Sequence, residues 1–198
     1  MRILCFLIVL LFIACSSKLK VVEIRNEAGK LIEKYTQNVE TQQREGESEL
    51  YASDGKLLEK SYYKNGQLHG ERILYHENEK IQVIERYDNG EFKGLYQAYY
   101  DNGQLEIEGK YIDGQMNGKW KRYYTSGELM EIVTFVSNYE NGPFVEYHKN
   151  GKIKTEGKYL DGDNEQGELK MYDEEGMLIR KMDCNKGICK TIWTAEKS

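Results

Sequence analysis

Positive charge is what this sequence most visibly lacks. Its 28 Lys and Arg stand against 33 Asp and Glu, a net charge of -5, which excludes the broad basic patch of a nucleic-acid binder. Apolar residues are scarce too, at 39% against 31% charged, which argues against a deep, wholly apolar core. No GxGxxG or phosphate-binding loop is present. Proline occurs once; read with 19 glycines and 16 tyrosines, that points to many tight turns and many half-buried strand positions. The length of 198 residues fits one domain or two small ones.

The first residues read as an address. Arg2 is the only charge before twelve mostly apolar residues, Ile3 to Ala14. That run falls short of the about 20 residues a membrane-spanning helix needs, and it fits the apolar region of a secretory signal peptide. Phe12-Ile13-Ala14-Cys15 closes it and resembles the lipobox of bacterial lipoproteins, with Phe12 where that motif usually has Leu. The resemblance implies cleavage before Cys15 and lipid attachment to it. Residues 1–14 would be the signal peptide and 15–20 a lipidated tether. An ordinary signal peptide with a chance cysteine, or a core helix, is the alternative. Each buried CH₂ adds about 0.8 kcal/mol, so two or more acyl chains anchor stably. The expected location is extracytoplasmic, periplasmic or cell-surface, with the membrane as a partner through the anchor.

Outside the cytoplasm disulfides persist. Cys5 leaves with the signal and Cys15 takes lipid, so Cys184 and Cys189 remain, flanking Asn185-Lys186-Gly187-Ile188. Lys186-Gly187 allows a tight turn, so the thiols can face each other across a hairpin. A structural disulfide is the favoured reading; free thiols, or a metal or redox pair, are the others. Zinc wants four ligands, and no second Cys or His pair lies nearby. No metal and no cofactor is expected.

The body of the chain is periodic. Tyr51, Tyr75, Tyr99, Tyr123, Tyr147 and Tyr172 are spaced by 24, 24, 24, 24 and 25 residues. Gly46, Gly70, Gly94, Gly118, Gly142 and Gly167 hold another phase, and Tyr63, Tyr87, Tyr111, Phe135 and Tyr159 a third. Each period contains two turns. One is centred on Asp54-Gly55, Asn102-Gly103, Ser126-Gly127 and Asn150-Gly151. The other is centred on Asn65-Gly66, Asn89-Gly90, Asp113-Gly114 and Asp161-Gly162, with Asn138 filling the one gap. Asn-Gly and Asp-Gly accept the positive φ of primed hairpin turns. Between them residues alternate: Leu105, Ile107, Gly109 and Tyr111 fall on one side, Glu106, Glu108 and Lys110 on the other. Paired glycines every dozen residues would break a helix.

The fold class is therefore all-β: an elongated antiparallel meander of about six 24-residue hairpin repeats forming a curved, single-layer sheet. Residues 21–50 read as a degenerate N-terminal capping repeat, 51–176 as the array, and 177–198 as a C-terminal cap carrying the cysteine hairpin. In the first unit Gly29 to Gly55 spans 26 residues, off phase.

Tyr99-Tyr100-Asp101-Asn102-Gly103-Gln104-Leu105, followed by Glu108-Gly109-Lys110-Tyr111-Ile112-Asp113-Gly114-Gln115-Met116-Asn117-Gly118-Lys119-Trp120, resembles the bacterial variant of the MORN repeat. That variant is found in proteins grouped as YwqK-like antitoxins. The resemblance covers about residues 46–180 and implies an elongated hairpin sheet that binds rather than catalyses. It also implies a toxin as one possible kind of protein partner. The lipoprotein-like signal sets this chain apart from a cytoplasmic antitoxin.

Nothing marks a catalytic centre. His76 and His148 share a repeat phase with Tyr100 and Tyr124, three periods apart, which reads as a polar-edged aromatic position; His69 stands alone. The carboxylates alternate with Lys, the pattern of a solvated sheet face. The aromatics carry the functional signal. The row Tyr51, Tyr75, Tyr99, Tyr123, Tyr147 and Tyr172 reads as structural. The row Tyr96, Trp120 and Phe144, extended by Arg72 and Leu169, reads as the candidate binding row, because a single-layer sheet has no second layer to cover it. The expectation is a non-catalytic, lipid-anchored platform for a protein partner. Binding of glycan or peptidoglycan through the aromatics, or a structural envelope role, is the alternative.

Overall fold

The computed structural model describes residues 18–196, and Cys15 and the expected signal peptide lie outside them. Sixteen strands form one open sheet. They are β1 (Leu19–Arg25), β2 (Leu31–Asn38), β3 (Arg44–Tyr51), β4 (Leu57–Lys64), β5 (Gln67–Tyr75), β6 (Ile81–Asp88), β7 (Glu91–Phe92) and β8 (Gly94–Tyr99). Then come β9 (Leu105–Ile112), β10 (Gln115–Tyr123), β11 (Leu129–Val136), β12 (Tyr139–Tyr147), β13 (Ile153–Tyr159), β14 (Gly167–Tyr172), β15 (Leu178–Asn185) and β16 (Ile188–Thr194). Successive strands pair antiparallel, except that β7 and β8 both pair with β6 and not with each other. The all-β meander is as the sequence predicts. Among the described residues no helix is long and apolar enough to cross a membrane.

The two turns of each period differ. In one, both central residues have positive φ: Asn65 and Gly66 (51° and 78°), Asn89 and Gly90 (51° and 84°), Ser137 and Asn138 (51° and 71°). These are the primed turns that match strand twist. In the other, a single residue is left-handed, a glycine as at Gly103 (φ 90°), whose N–H donates to the Tyr100 carbonyl at 2.8 Å, or Glu79 (φ 64°) in the turn after β5. So the second kind is not primed. It is a wider turn closed by one left-handed residue, in most repeats a glycine, the geometry of longer hairpin loops.

Turn length also explains the phase slips. The β2–β3 connection places Val39–Gln42 between Asn38 and Gln43, where Lys64 and Gln67 enclose only Asn65 and Gly66. Those two extra residues are the 26-residue step. One extra residue between Leu160 and Asn164 makes the 25-residue step. The N-terminal unit is thus a regular hairpin unit with a longer turn, and β1 begins inside the stretch expected to be tether.

Every repeat tyrosine of the 51–172 row sits at a register shift, between Leu50 and Tyr51, Leu74 and Tyr75, Ala98 and Tyr99, and so on. In four of the six the tyrosine carbonyl has a side-chain partner one repeat earlier. His76 Nε2 lies 2.8 Å from the Tyr99 carbonyl, Tyr100 Oη donates to that of Tyr123 at 2.7 Å, Tyr124 Oη to that of Tyr147 at 2.8 Å, and His148 Nε2 lies 3.0 Å from that of Tyr172. The shared histidine and tyrosine phase is a clasp between successive repeats.

The main cluster of buried apolar side chains lies in the C-terminal half of one face. Val133, Phe144, Leu169 and Cys184 are buried together, with Phe135, Tyr159 and Met182 against them. In the N-terminal half the same face is polar: Ser48, Ser61 and Glu85 are buried, and Arg72 bridges Glu59 at 2.6 Å and Glu85 at 3.1 Å. A carboxylate with a guanidinium partner tolerates burial that a lone one does not. Cys184 and Cys189 form the disulfide favoured from the sequence, directly opposite each other across β15 and β16.

Candidate functional site

The two rows of aromatics lie on opposite faces of the sheet. On one face Tyr51, Tyr123 and Tyr172 donate their hydroxyls to Glu49, Glu108 and Glu156 at 2.8, 2.8 and 2.7 Å. Lys121 and Lys170 reach the same Glu108 and Glu156, at 2.8 and 3.3 Å. The Lys121 ammonium, with the Tyr123 hydroxyl, holds the Glu108 carboxyl below the usual glutamate range, and the Tyr172 hydroxyl with Lys170 does so for Glu156. Burial and Glu49 push Tyr51 up to about 12. All six tyrosines of the row are half-buried.

The other face carries Tyr96, Trp120 and Phe144, and there the expected open row is not open. Trp120 is 7% exposed and Phe144 4%. The reason lies in glycine. Gly109, in the middle of β9, has no side chain under the indole, so Trp120 folds over the β9 backbone; a Cβ at Gly109 would stand 2.0 Å from the ring. Gly157 makes the same room for Phe144 and Leu169, with gaps of 2.9 and 2.7 Å. A single layer therefore covers its own large rings. A glycine inside a strand is the mark of such close approach, and Gly109 and Gly157 were the available signal.

The row also divides. Tyr96 and Trp120 are in ring contact, with centroids 5.6 Å apart, while Phe144 stacks on Tyr159 at 4.1 Å with 18° between planes. Val133 separates the two groups, paired to Trp120 on one side and Phe144 on the other. Trp120 is surrounded by Tyr111 (5.3 Å, 87°) and Phe135 (6.1 Å, 66°), edge to face.

These rings form one side of a cleft of about 330 Å³ spanning β8 to β12. Tyr96, Tyr111, Met116 and Phe135 give it apolar walls, and Glu131 and Glu140 supply carboxylates. Glu131 lies opposite Glu146 in the ladder. Burial first, then the Glu146 charge, raises the Glu131 carboxyl above its ordinary value; burial and Asp163 raise Glu140. Like charges directly opposite each other destabilise a sheet. Sequence reading passed over Glu131 and Glu140, each a lone carboxylate among apolar or neutral polar residues, because only the ladder shows what faces them.

Five successive stretches, 44–67, 68–89, 92–113, 116–137 and 140–161, match the family model described as MORN repeat variant. Comparison with curated proteins gives no match. Among solved structures the chain is similar to a porin-like protein from Bacteroides uniformis, 8% identical, over 87% of this chain and 92% of that one, with a TM-score of 0.22; so distant a likeness bears on neither fold nor function. The five matches cover more than half of the sequence and coincide with the hairpin units of the sheet, and the chain belongs to the MORN repeat variant family.

Proposed function

We propose that this chain is a non-catalytic, lipid-anchored envelope protein whose repeat sheet is a platform for a protein partner. The observation that carries the reading is the open, single-layer sheet, with both faces presented to a partner and an aromatic-walled cleft on one of them. Aromatic anchors around a concave site, rimmed by charge, are the usual composition of a recognition surface. The anchor would be Cys15, only four residues before β1, so the first strand would sit close to the membrane surface. A toxin is one partner that such a platform would serve.

Burial of Trp120 and Phe144 removes the flat exposed rings on which sugar stacking would depend, which favours protein over glycan as the partner. The test has two arms. Full-length protein should fractionate with membranes, and Cys15→Ser should release it. Crosslinking in cells, affinity purification and mass spectrometry should then recover one stoichiometric protein. Recovery of cell-wall glycan instead would favour the glycan reading, and recovery of neither would leave a structural envelope role. Trp120→Ala is not a usable control, because it opens a cavity where the indole is packed.

A further inference from the structure

We propose that the cleft between β8 and β12 binds an organic cation, a guanidinium or ammonium group carried on an apolar stem. The argument comes from comparing equivalent positions in the repeat. Glu33, Glu59 and Glu131 occupy one phase of the sheet, related by the 26-residue first step and three 24-residue steps. Glu33 binds Arg44, and the Arg44 guanidinium also lies 4.4 Å from the Tyr35 ring centroid and 5.4 Å from that of Tyr63. Glu59 binds Arg72 at 2.6 Å. At two of the three positions, therefore, the chain answers the carboxylate with its own guanidinium, and at the first of them that guanidinium also lies over aromatic rings.

At the third position the cation is missing from the sequence. The counterpart of Arg44 is Glu140, four periods on, and the counterpart of Arg72 is Phe144, three periods on. Neither Glu131 nor Glu140 has an ion-pair partner among the described residues. Glu146, opposite Glu131, uses Lys154 at 3.2 Å. Lys121 spends its ammonium on Glu108 on the other face. Arg122 is opposite Glu131 in the ladder, but its side chain is exposed and makes no ion pair with it. What remains is a cleft in which Glu131 and Glu140 have no ion pair, with Arg122 at its rim and the half-buried rings of Tyr96 and Tyr111 against which a cation could lie. The Trp120 Nε1–H, closed to solvent, finds no acceptor in the protein, a second unanswered polar group on the same cleft. This inference stands apart from the anchor and from the partner's identity.

The probe is n-butylguanidinium, with n-butylurea as its neutral isostere. Binding is read from the emission of Trp120 in a Trp193→Phe background. Saturable binding of butylguanidinium is expected, with butylurea at least about tenfold weaker. Glu131→Gln should weaken binding by about tenfold while the far-ultraviolet spectrum and thermal midpoint show a folded chain. Glu108→Gln, on the opposite face, should leave it unchanged. Arg122→Gln should tighten it, since a repelling charge is removed. Equal affinity for butylurea, no saturable change with either probe, an unaffected Glu131→Gln, or weaker binding in Arg122→Gln would each overturn the proposal. A peptide with a single arginine that binds more tightly than butylguanidinium places the cation on a protein; equal affinity places it on a free small molecule.

Discussion

The Trp120 indole lies where the side chain of residue 109 would be, so that a methyl group added to Gly109 would come within 2.0 Å of the ring. Gly109 does not have a left-handed backbone, unlike most glycines of the chain, and its absence of side chain is purely a packing requirement. Gly109→Ala should therefore destabilise by overpacking, by about 1–3 kcal/mol. That is a fall in thermal midpoint of several degrees, measured by circular dichroism. Gly157→Ala should behave in the same way against Phe144 and Leu169.

The clasp between repeats predicts a smaller effect. Tyr124→Phe removes one hydroxyl and leaves the ring, so it should cost about 1 kcal/mol, the net worth of one hydrogen bond to the Tyr147 carbonyl. Tyr100→Phe should match it. Urea denaturation of the two single variants and the double variant checks this, and because the clasps lie one repeat apart the two losses should nearly add.

The disulfide should matter most at its own end. Replacing Cys184 and Cys189 together by Ser should cost about 2 kcal/mol in the chain-entropy view of so short a loop, and more where the buried Cys184 leaves the core. A repeat sheet with contacts mainly between neighbours unfolds from its ends. Hydrogen exchange should therefore rise in β14 to β16 while the β3 to β6 amides keep their protection.

Two carboxylates on opposite faces should give opposite pH behaviour. Glu131 is raised by burial and by Glu146, so its contribution to stability is present at acid pH and lost as pH rises through its folded value. Arg122 on β10, Glu140 and Glu146 on β12 and Lys154 on β13 act on it together. Glu131→Gln should raise the thermal midpoint at about pH 8, and the gain should shrink as pH falls below the ordinary glutamate range. Glu108 is lowered by Lys121, so its contribution is present above the ordinary value and lost as pH falls through the depressed one. Glu108→Gln should lower the midpoint at neutral pH and lose that effect in acid.

Much of this molecule was legible in the sequence because its repeat is short and each period states both turns. The positions of Gly66, Gly90 and Asn138 sufficed to place the primed turns. The pairing of Cys184 with Cys189 followed from the hairpin between them. Burial was harder to read. Periodicity assigns Trp120 to a face, but whether a ring on that face is covered depends on what the neighbouring strand lacks, and here that is the side chain of Gly109. Glu131 was hidden for a related reason: its meaning comes from Glu146 across the ladder and from the arginines bound by Glu33 and Glu59, not from its neighbours in the chain.

The recognition reading is tested most directly by photo-crosslinking the full-length protein in the cells that make it. A crosslinking amino acid is placed at Met116 and Glu140 on the cleft face, and at Ile112 and Val136 on the opposite face. The account predicts one protein adduct of a single mass from the positions of one face and little from the other. Absence of any protein adduct from both faces, with the chain folded, would contradict it.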